Sequence, residues 1–373
     1  MSTPAKDRSN GSAEGEVARR KDAHLDLCLN EDVGAGGPAT GLGGFTFEYD
    51  ALPELDLVDV DISTTVLGKR LAAPLFIGAM TGGTERAREI NQRLARAAAR
   101  VGVGMALGSQ RAMIVRPELT PTFVVRDVAP ALPLLVGNVG AVQLNYGVSA
   151  SDIVRAVEAV GADAVNFHLN PLQEAIQPEG DTRFAGLFDK LAALIPSLPV
   201  PALVKEVGAG IGLRAAHKLA QLPLAGVEVA GTGGTSWAKV ESFRAPADSA
   251  QAEVGRRLAG FGVPTAASIR ICREAFGDRV VIASGGIRTG MDVAVALALG
   301  ADAAACARPM LEAAAESEEQ AVRALETLLL ELRVICFCTG ARDIAALRCV
   351  RLIAPGGSWS RQSPEVTAAK KHP

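Results

Sequence analysis

A single (β/α)8 barrel, with an N-terminal extension and a long loop insertion after strand six, is the fold class the sequence predicts. Two observations predict the barrel. Short apolar runs alternate with segments of helical period, giving eight β-then-α units. Polar or glycine-rich loops follow the apolar runs, as on the rim of a barrel that binds a ligand at its C-terminal face. A doubly wound sheet is the alternative, but no GxGxxG fingerprint opens the first unit. Residues 1–17 and 356–373 read as flexible tails. Residues 18–355 read as one domain.

The chain has 373 residues, 49% hydrophobic and 21% charged, so a large core is available and global disorder is not expected. Aromatics are only 4%, so Ala, Val, Leu and Gly must fill the interior. A net charge of −3 argues against a broad nucleic-acid surface. No apolar run is long enough to span a bilayer and no signal core opens the chain, so cytoplasmic residence is expected. The six cysteines form no CxxC pair, and Cys336-Phe-Cys338 lies in an apolar stretch, so buried structural thiols are expected.

In chain order, Arg19-Arg20-Lys21-Asp22-Ala23-His24 is a compact basic cluster. Such a run usually sits on a solvated face; folded over a barrel mouth it would bind a diphosphate. Residues 43–66 read as a hairpin ahead of the barrel. Strands are expected at 75–79, 104–107, 134–137, 164–168, 202–206, 226–229, 280–284 and 303–306. Amphipathic helices fit 85–101, 152–160, 213–222 and 291–299. Residues 238–268 form a charged insertion, either a lid over the mouth or a surface excursion or subunit contact.

The strand ends carry the chemistry. Strand one ends in Gly78-Ala79-Met80-Thr81-Gly82-Gly83, a turn that suits the underside of a planar ring. Strand two ends in Gly108-Ser109-Gln110-Arg111, whose guanidinium can clamp a phosphate. Asn138 follows strand three and can bond a ring edge. Strand four ends in His168-Leu-Asn170-Pro-Leu-Gln173-Glu174, then Gln177-Pro-Glu-Gly-Asp181. Imidazole and amides there can donate to an oxyanion, and a carboxylate can hold a hard cation. Lys205 ends strand five; it meets either a cofactor anion or Glu206 or Glu228 in a core ion pair. Sequence neighbours face opposite ways on a strand, which makes Glu206 the poorer partner. Gly231-Thr232-Gly233-Gly234-Thr235-Ser236-Trp237 ends strand six. Gly285-Gly286-Ile-Arg288-Thr-Gly290, after strand seven, and Ala307-Arg308, after strand eight, suit a phosphate cradle. His217 and His372 read as structural or exposed.

With these motifs assembled, the chain resembles the type 2, FMN-dependent isopentenyl diphosphate isomerases from about Arg19 to about Arg351. The resemblance implies that reduced FMN, contacted by Ala79, Met80, Thr81, Ser109, Asn138, Lys205, Thr232, Thr235, Gly286, Arg288, Ala307 and Arg308, converts isopentenyl diphosphate to dimethylallyl diphosphate without net redox change. NADPH would only reduce the flavin. Arg20, Lys21, His24, Arg111, His168 and Asn170 would bind the substrate. Gln173 would stand near the reacting carbons with His168, and Glu174 would hold Mg²⁺. A homotetramer or homo-octamer is implied. Ala23 and Ala307 depart from the family pattern, where an acidic residue and Gly are frequent. A 2-hydroxy-acid oxidase would share the barrel and Lys205, but its His-Gly-Gly-Arg run is missing. A non-catalytic flavin-binding protein would not need Gln173 beside Glu174.

Overall fold

The computed structural model describes residues 10–36 and 39–354. The chain opens with α1 (Asn10–Asn30), β1 (Thr46–Phe47), β2 (Thr64–Val66) and β3 (Lys69–Leu71). The barrel then runs β4 (Leu75–Ile77), α2 (Glu85–Val101), β5 (Gly104–Ala106), α3 (Arg111–Val115), β6 (Leu135–Gly140), α4 (Ala150–Val160), β7 (Ala164–Leu169), α5 (Pro171–Ile176), α6 (Leu187–Leu194), β8 (Ala202–Glu206), α7 (Leu213–Leu219) and β9 (Gly226–Glu228). It continues α8 (Trp237–Arg244), α9 (Ala250–Arg257), α10 (Thr265–Phe276), β10 (Val280–Ala283), α11 (Gly290–Ala298), β11 (Ala303–Cys306), α12 (Arg308–Glu316), α13 (Glu318–Cys338), α14 (Ile344–Cys349) and β12 (Leu352–Ile353). Strands β4 to β11 are all parallel. The barrel closes where Ala304 pairs with Leu75.

Local sequence sets these boundaries. Thr84 caps α2 by accepting from the Ala87 N–H at 3.2 Å, and Gly102 ends it in the left-handed region at φ 80°. Capping boxes start α4 at Ser149/Asp152 and α11 at Thr289/Asp292. Alternation along the strands divides the apolar residues into two cores. Leu75, Ile77, Met105, Val165 and Phe167 pack outward against the helices. Phe76, Ala106, Val136, Leu203, Ile282 and Ala305 fill the barrel interior. Phe76 is buried to 2% exposure, worth about 2–3 kcal/mol in transfer terms. It fits because Gly104 lies beside it: a Cβ at Gly104 would come within 2.4 Å of the ring.

Three expectations change. The expected hairpin at 43–66 is placed later in the chain. β2 pairs with β3 through Leu67 and Gly68, both at positive φ, and its Val66 and Leu71 plug the barrel interior. β1 pairs instead with β12, near the described C-terminal end, a long-range partner with no local sequence signal. The insertion after strand six is shorter than 238–268: α8 and α9 form it, and Thr265 already starts the barrel's own helix. At the N-terminus, α1 begins at Asn10, inside the stretch read as a tail. The other expected tail, 356–373, lies outside the described residues.

All six cysteines are free thiols. Burial pushes Cys272, Cys306 and Cys336 up to about 12, the state of inert core thiols. No helix among the described residues is long and apolar enough to cross a membrane.

Candidate active site

A cavity of about 390 Å³ opens at the C-terminal ends of the barrel strands. Every residue expected to bind substrate, cofactor or metal lines it except Thr232. Thr232 is buried behind the wall, where its main-chain N–H is bonded to Val263 O and its hydroxyl has no partner. Register explains the convergence. Gly140, His168, Lys205 and Glu228 are successive partners across β6, β7, β8 and β9, so the side chains of His168, Lys205 and Glu228 enter at one level.

One wall is cationic. Arg20 and Lys21 come from α1, and Arg111 stands at the N-terminus of α3. Arg20 lies 3.7 Å from Glu179, and Arg111 donates to Asp181 at 2.6 Å. Lys21 makes no hydrogen bond or salt bridge with a described residue. Burial, then the charges of Arg20 and Arg111, pull its ammonium down to about 8. Burial, with Lys205, Lys21 and Arg111 close by, pulls His168 down to about 3. Asn138 donates its amide to Leu107 O at 3.1 Å and turns Oδ1 to His168 Nδ1 at 2.9 Å. His168 is therefore neutral, with its proton on Nδ1 and a lone pair on Nε2. Donation from Nε2 to an oxyanion, the expectation for this residue, requires proton uptake on binding.

The opposite wall is an acid–amide network. Asn170 donates to Gln173 Oε1 at 3.1 Å and to Glu174 Oε1 at 2.8 Å. Glu174 Oε2 accepts the Asp181 N–H at 2.6 Å, and burial raises its carboxyl. Gln173 Nε2 donates to Glu241 Oε1 at 2.9 Å. Glu241, from α8, is fully buried. Arg244 donates to its Oε2 at 2.5 Å, and His24 Nε2 stands 3.0 Å from Oε1, off the axis of a good hydrogen bond. Burial alone would raise Glu241, but His24, Gln173 and Arg244 outweigh it and hold the carboxyl at about 2. Burial keeps His24 neutral. Glu241 and Arg244 escaped the sequence reading because they sit in a charged insertion that reads as solvated surface. Their significance lies in contacts with residues 68 and 65 positions away.

The far side suits a flavin phosphate. Gly285 and Gly286 have φ 93° and 78°, and a Cβ on Gly286 would meet Thr40 Cγ2 at 2.4 Å. Arg288 braces this loop by donating to Gly286 O and Gly233 O. The N-terminus of α12 follows at Arg308, a favourable place for an anion. Thr81 Oγ1 and Asn170 Oδ1 are buried without partners, two polar atoms that a bound group would satisfy. These residues fit FMN. No cluster of three or more His, Cys, Asp or Glu suited to a metal occurs among the described residues. Mg²⁺ fits only as Glu174 plus oxygens brought by a substrate, the usual habit of that ion.

The class defined by this fold and site is a (β/α)8 barrel of the flavin-binding type. The family model described as FMN-dependent dehydrogenase matches residues 174–352. A solved structure of a mandelate oxidase variant with an FMN adduct superposes with a TM-score of 0.65 at 20% identity, covering 92% of this chain and 99% of that one. That likeness establishes the barrel alone. An isopentenyl-diphosphate delta-isomerase from Synechococcus sp. is 48% identical over 92% of this chain and 98% of its own. Relatives of the same name from Nostoc sp. and Deinococcus radiodurans are 46% and 45% identical, over 90% and 89% of this chain and 96% and 97% of theirs. The chain belongs to the isopentenyl-diphosphate delta-isomerase family, in the FMN-dependent form.

Proposed function

We infer that the protein converts isopentenyl diphosphate to dimethylallyl diphosphate with bound FMN. The carrying observation is the excess of desolvated positive charge at one wall. Burial first, and neighbouring cations after it, pull Arg20, Lys21 and His168 toward neutrality. A polyanion such as a diphosphate relieves all three at once. Its binding returns Lys21 to full charge and favours a proton on His168 Nε2, which then donates to a phosphate oxygen. Asn170 and Arg111 complete the clamp, and Glu174 with the diphosphate oxygens holds Mg²⁺. This remote binding fixes the alkene, the orientation that makes a proton shift efficient.

The isomerisation adds a proton at the terminal alkene carbon and removes one from the methylene bonded to the internal alkene carbon. Reduced FMN, when bound, supplies that acid–base chemistry without net redox change, NADPH serving only to reduce it. Gln173, held between Asn170 and the ionised Glu241, presents its amide to the reacting end of the substrate. Lys205 stabilises negative charge at the cavity floor. Cytoplasmic residence and a homotetramer or homo-octamer complete the reading. Exposed Tyr49, Leu52 and Val58 support self-association.

The test is anaerobic turnover of isopentenyl diphosphate with FMN, Mg²⁺ and NADPH. Dimethylallyl diphosphate forming catalytically, without matching NADPH consumption, is the expected result. No product from protein with FMN bound and reduced would reject the substrate; stoichiometric oxidation of substrate would reject the redox-neutral reaction.

A further inference from the structure

At the floor of the cavity, strands β7, β8 and β9 and the residue that follows β10 each send one polar side chain to a single point. Lys205 Nζ lies 3.5 Å from Glu228 Oε1, and both side chains are almost fully buried. Ser284 Oγ donates to Glu228 Oε1 at 2.9 Å, and Asn166 Nδ2 donates to Oε2 at 3.1 Å. Both carboxylate oxygens are thus tied down, and Glu228 cannot swing away. The other nearby acid is committed elsewhere. Glu206 Oε2 accepts the N–H groups of Val207, Gly208, Ala209 and Gly210, so it serves the loop. Lys205 spends one ammonium hydrogen on Glu206 O at 2.6 Å and points another at Glu228, leaving one for the cavity it lines.

We propose that Glu228 is a positioning residue for Lys205: it fixes the ammonium at the cavity floor, offsets its charge, and so holds down the reduction potential of bound flavin. This rests on the reading of the cavity as an FMN site. Reduction adds negative charge to the cavity. A lone buried Lys205 favours that strongly; a Lys205–Glu228 pair favours it much less, because its far field is that of a dipole. Glu228 therefore sets how far the cofactor's reduced form is stabilised, without touching substrate.

The experiment is the midpoint potential of protein-bound FMN, measured spectroscopically in the full chain. Glu228→Gln removes the charge at nearly constant volume. Asn166 Oδ1 is buried without a partner, so that amide can turn over and accept from the one introduced. The potential is expected to rise by about 30 mV, a tenfold shift of the reduced-to-oxidised ratio for a two-electron couple. Glu228→Asp keeps the charge but draws it back from Lys205, and a smaller rise in the same direction is expected. It carries the test if Glu228→Gln does not fold. In a Lys205→Met background the part of the effect that acts through the ammonium's position is gone, so the rise caused by Glu228→Gln should be smaller. An unchanged potential in these variants with FMN bound overturns the proposal, as does an equal shift with and without Lys205. Failure of the unaltered chain to bind FMN would instead sink the cofactor reading, and this inference with it.

Discussion

Glu241→Gln removes one charge from the most connected carboxylate in the site, and its cost can be worked from the structure. The Glu241 carboxyl is held at about 2 against an ordinary 4.5, which corresponds to about 3 kcal/mol. Part of that depression comes from a charge on His24, which is neutral at pH 7.5. About 2 kcal/mol is therefore the working figure at that pH. The sign follows from the depressed value: the stabilisation is present in full above about pH 4.5 and is lost as pH falls toward 2. At pH 3.5, about half of the working figure should remain. With a urea slope of about 3 kcal/mol per molar, the unfolding midpoint should drop by about 0.7 M at pH 7.5 and by clearly less at pH 3.5. Turnover should fall by about 100-fold or more, because Gln173 loses its ionised anchor, while KM stays within about threefold. A variant as stable as the native chain at both pH values would refute the reasoning. So would a stability loss that does not change with pH.

Lys21 is charged below about pH 8, so KM for the diphosphate should rise as pH passes through 8, and Lys21→Met should abolish that rise; a KM flat from pH 7 to 9.5 in the native chain would count against the clamp. Arg111→Met removes a charge-assisted contact worth about 1.5–3 kcal/mol, so KM should rise about tenfold to 100-fold with FMN still bound, as read by initial rates and flavin absorbance. Gly286→Ala places a Cβ within 2.4 Å of Thr40 and 2.7 Å of Gly233 O, so FMN affinity should drop about tenfold or more by fluorescence titration while the far-ultraviolet dichroism is kept. Glu174→Gln should chiefly impair Mg²⁺-dependent activity and leave FMN bound; lost flavin with retained diphosphate binding would contradict its assignment.

Much of the barrel was legible because its signals are local. The strand at 202–206 and the helix at 85–101 need only an apolar run, a cap and a left-handed glycine, and all are adjacent in sequence. The polar residues closing the strands were legible for a related reason. A lysine at 205 or a histidine at 168 has no purpose in a sealed apolar strand, so each announces a site. The β1–β12 pair and the true end of the insertion were not legible, since each depends on a partner far along the chain.

The residue sequence by itself determined the eight units, the glycine cradle after the seventh strand and the set of side chains offered at the mouth. Only the tertiary structure decided their states. It placed Glu241 against Gln173, gave Lys205 a buried counter-charge in Glu228, and left Lys21 without a salt bridge among the described residues. The physical reason is that charge, proton position and desolvation depend on distances between atoms brought together by barrel closure. Periodicity carries no information about those distances.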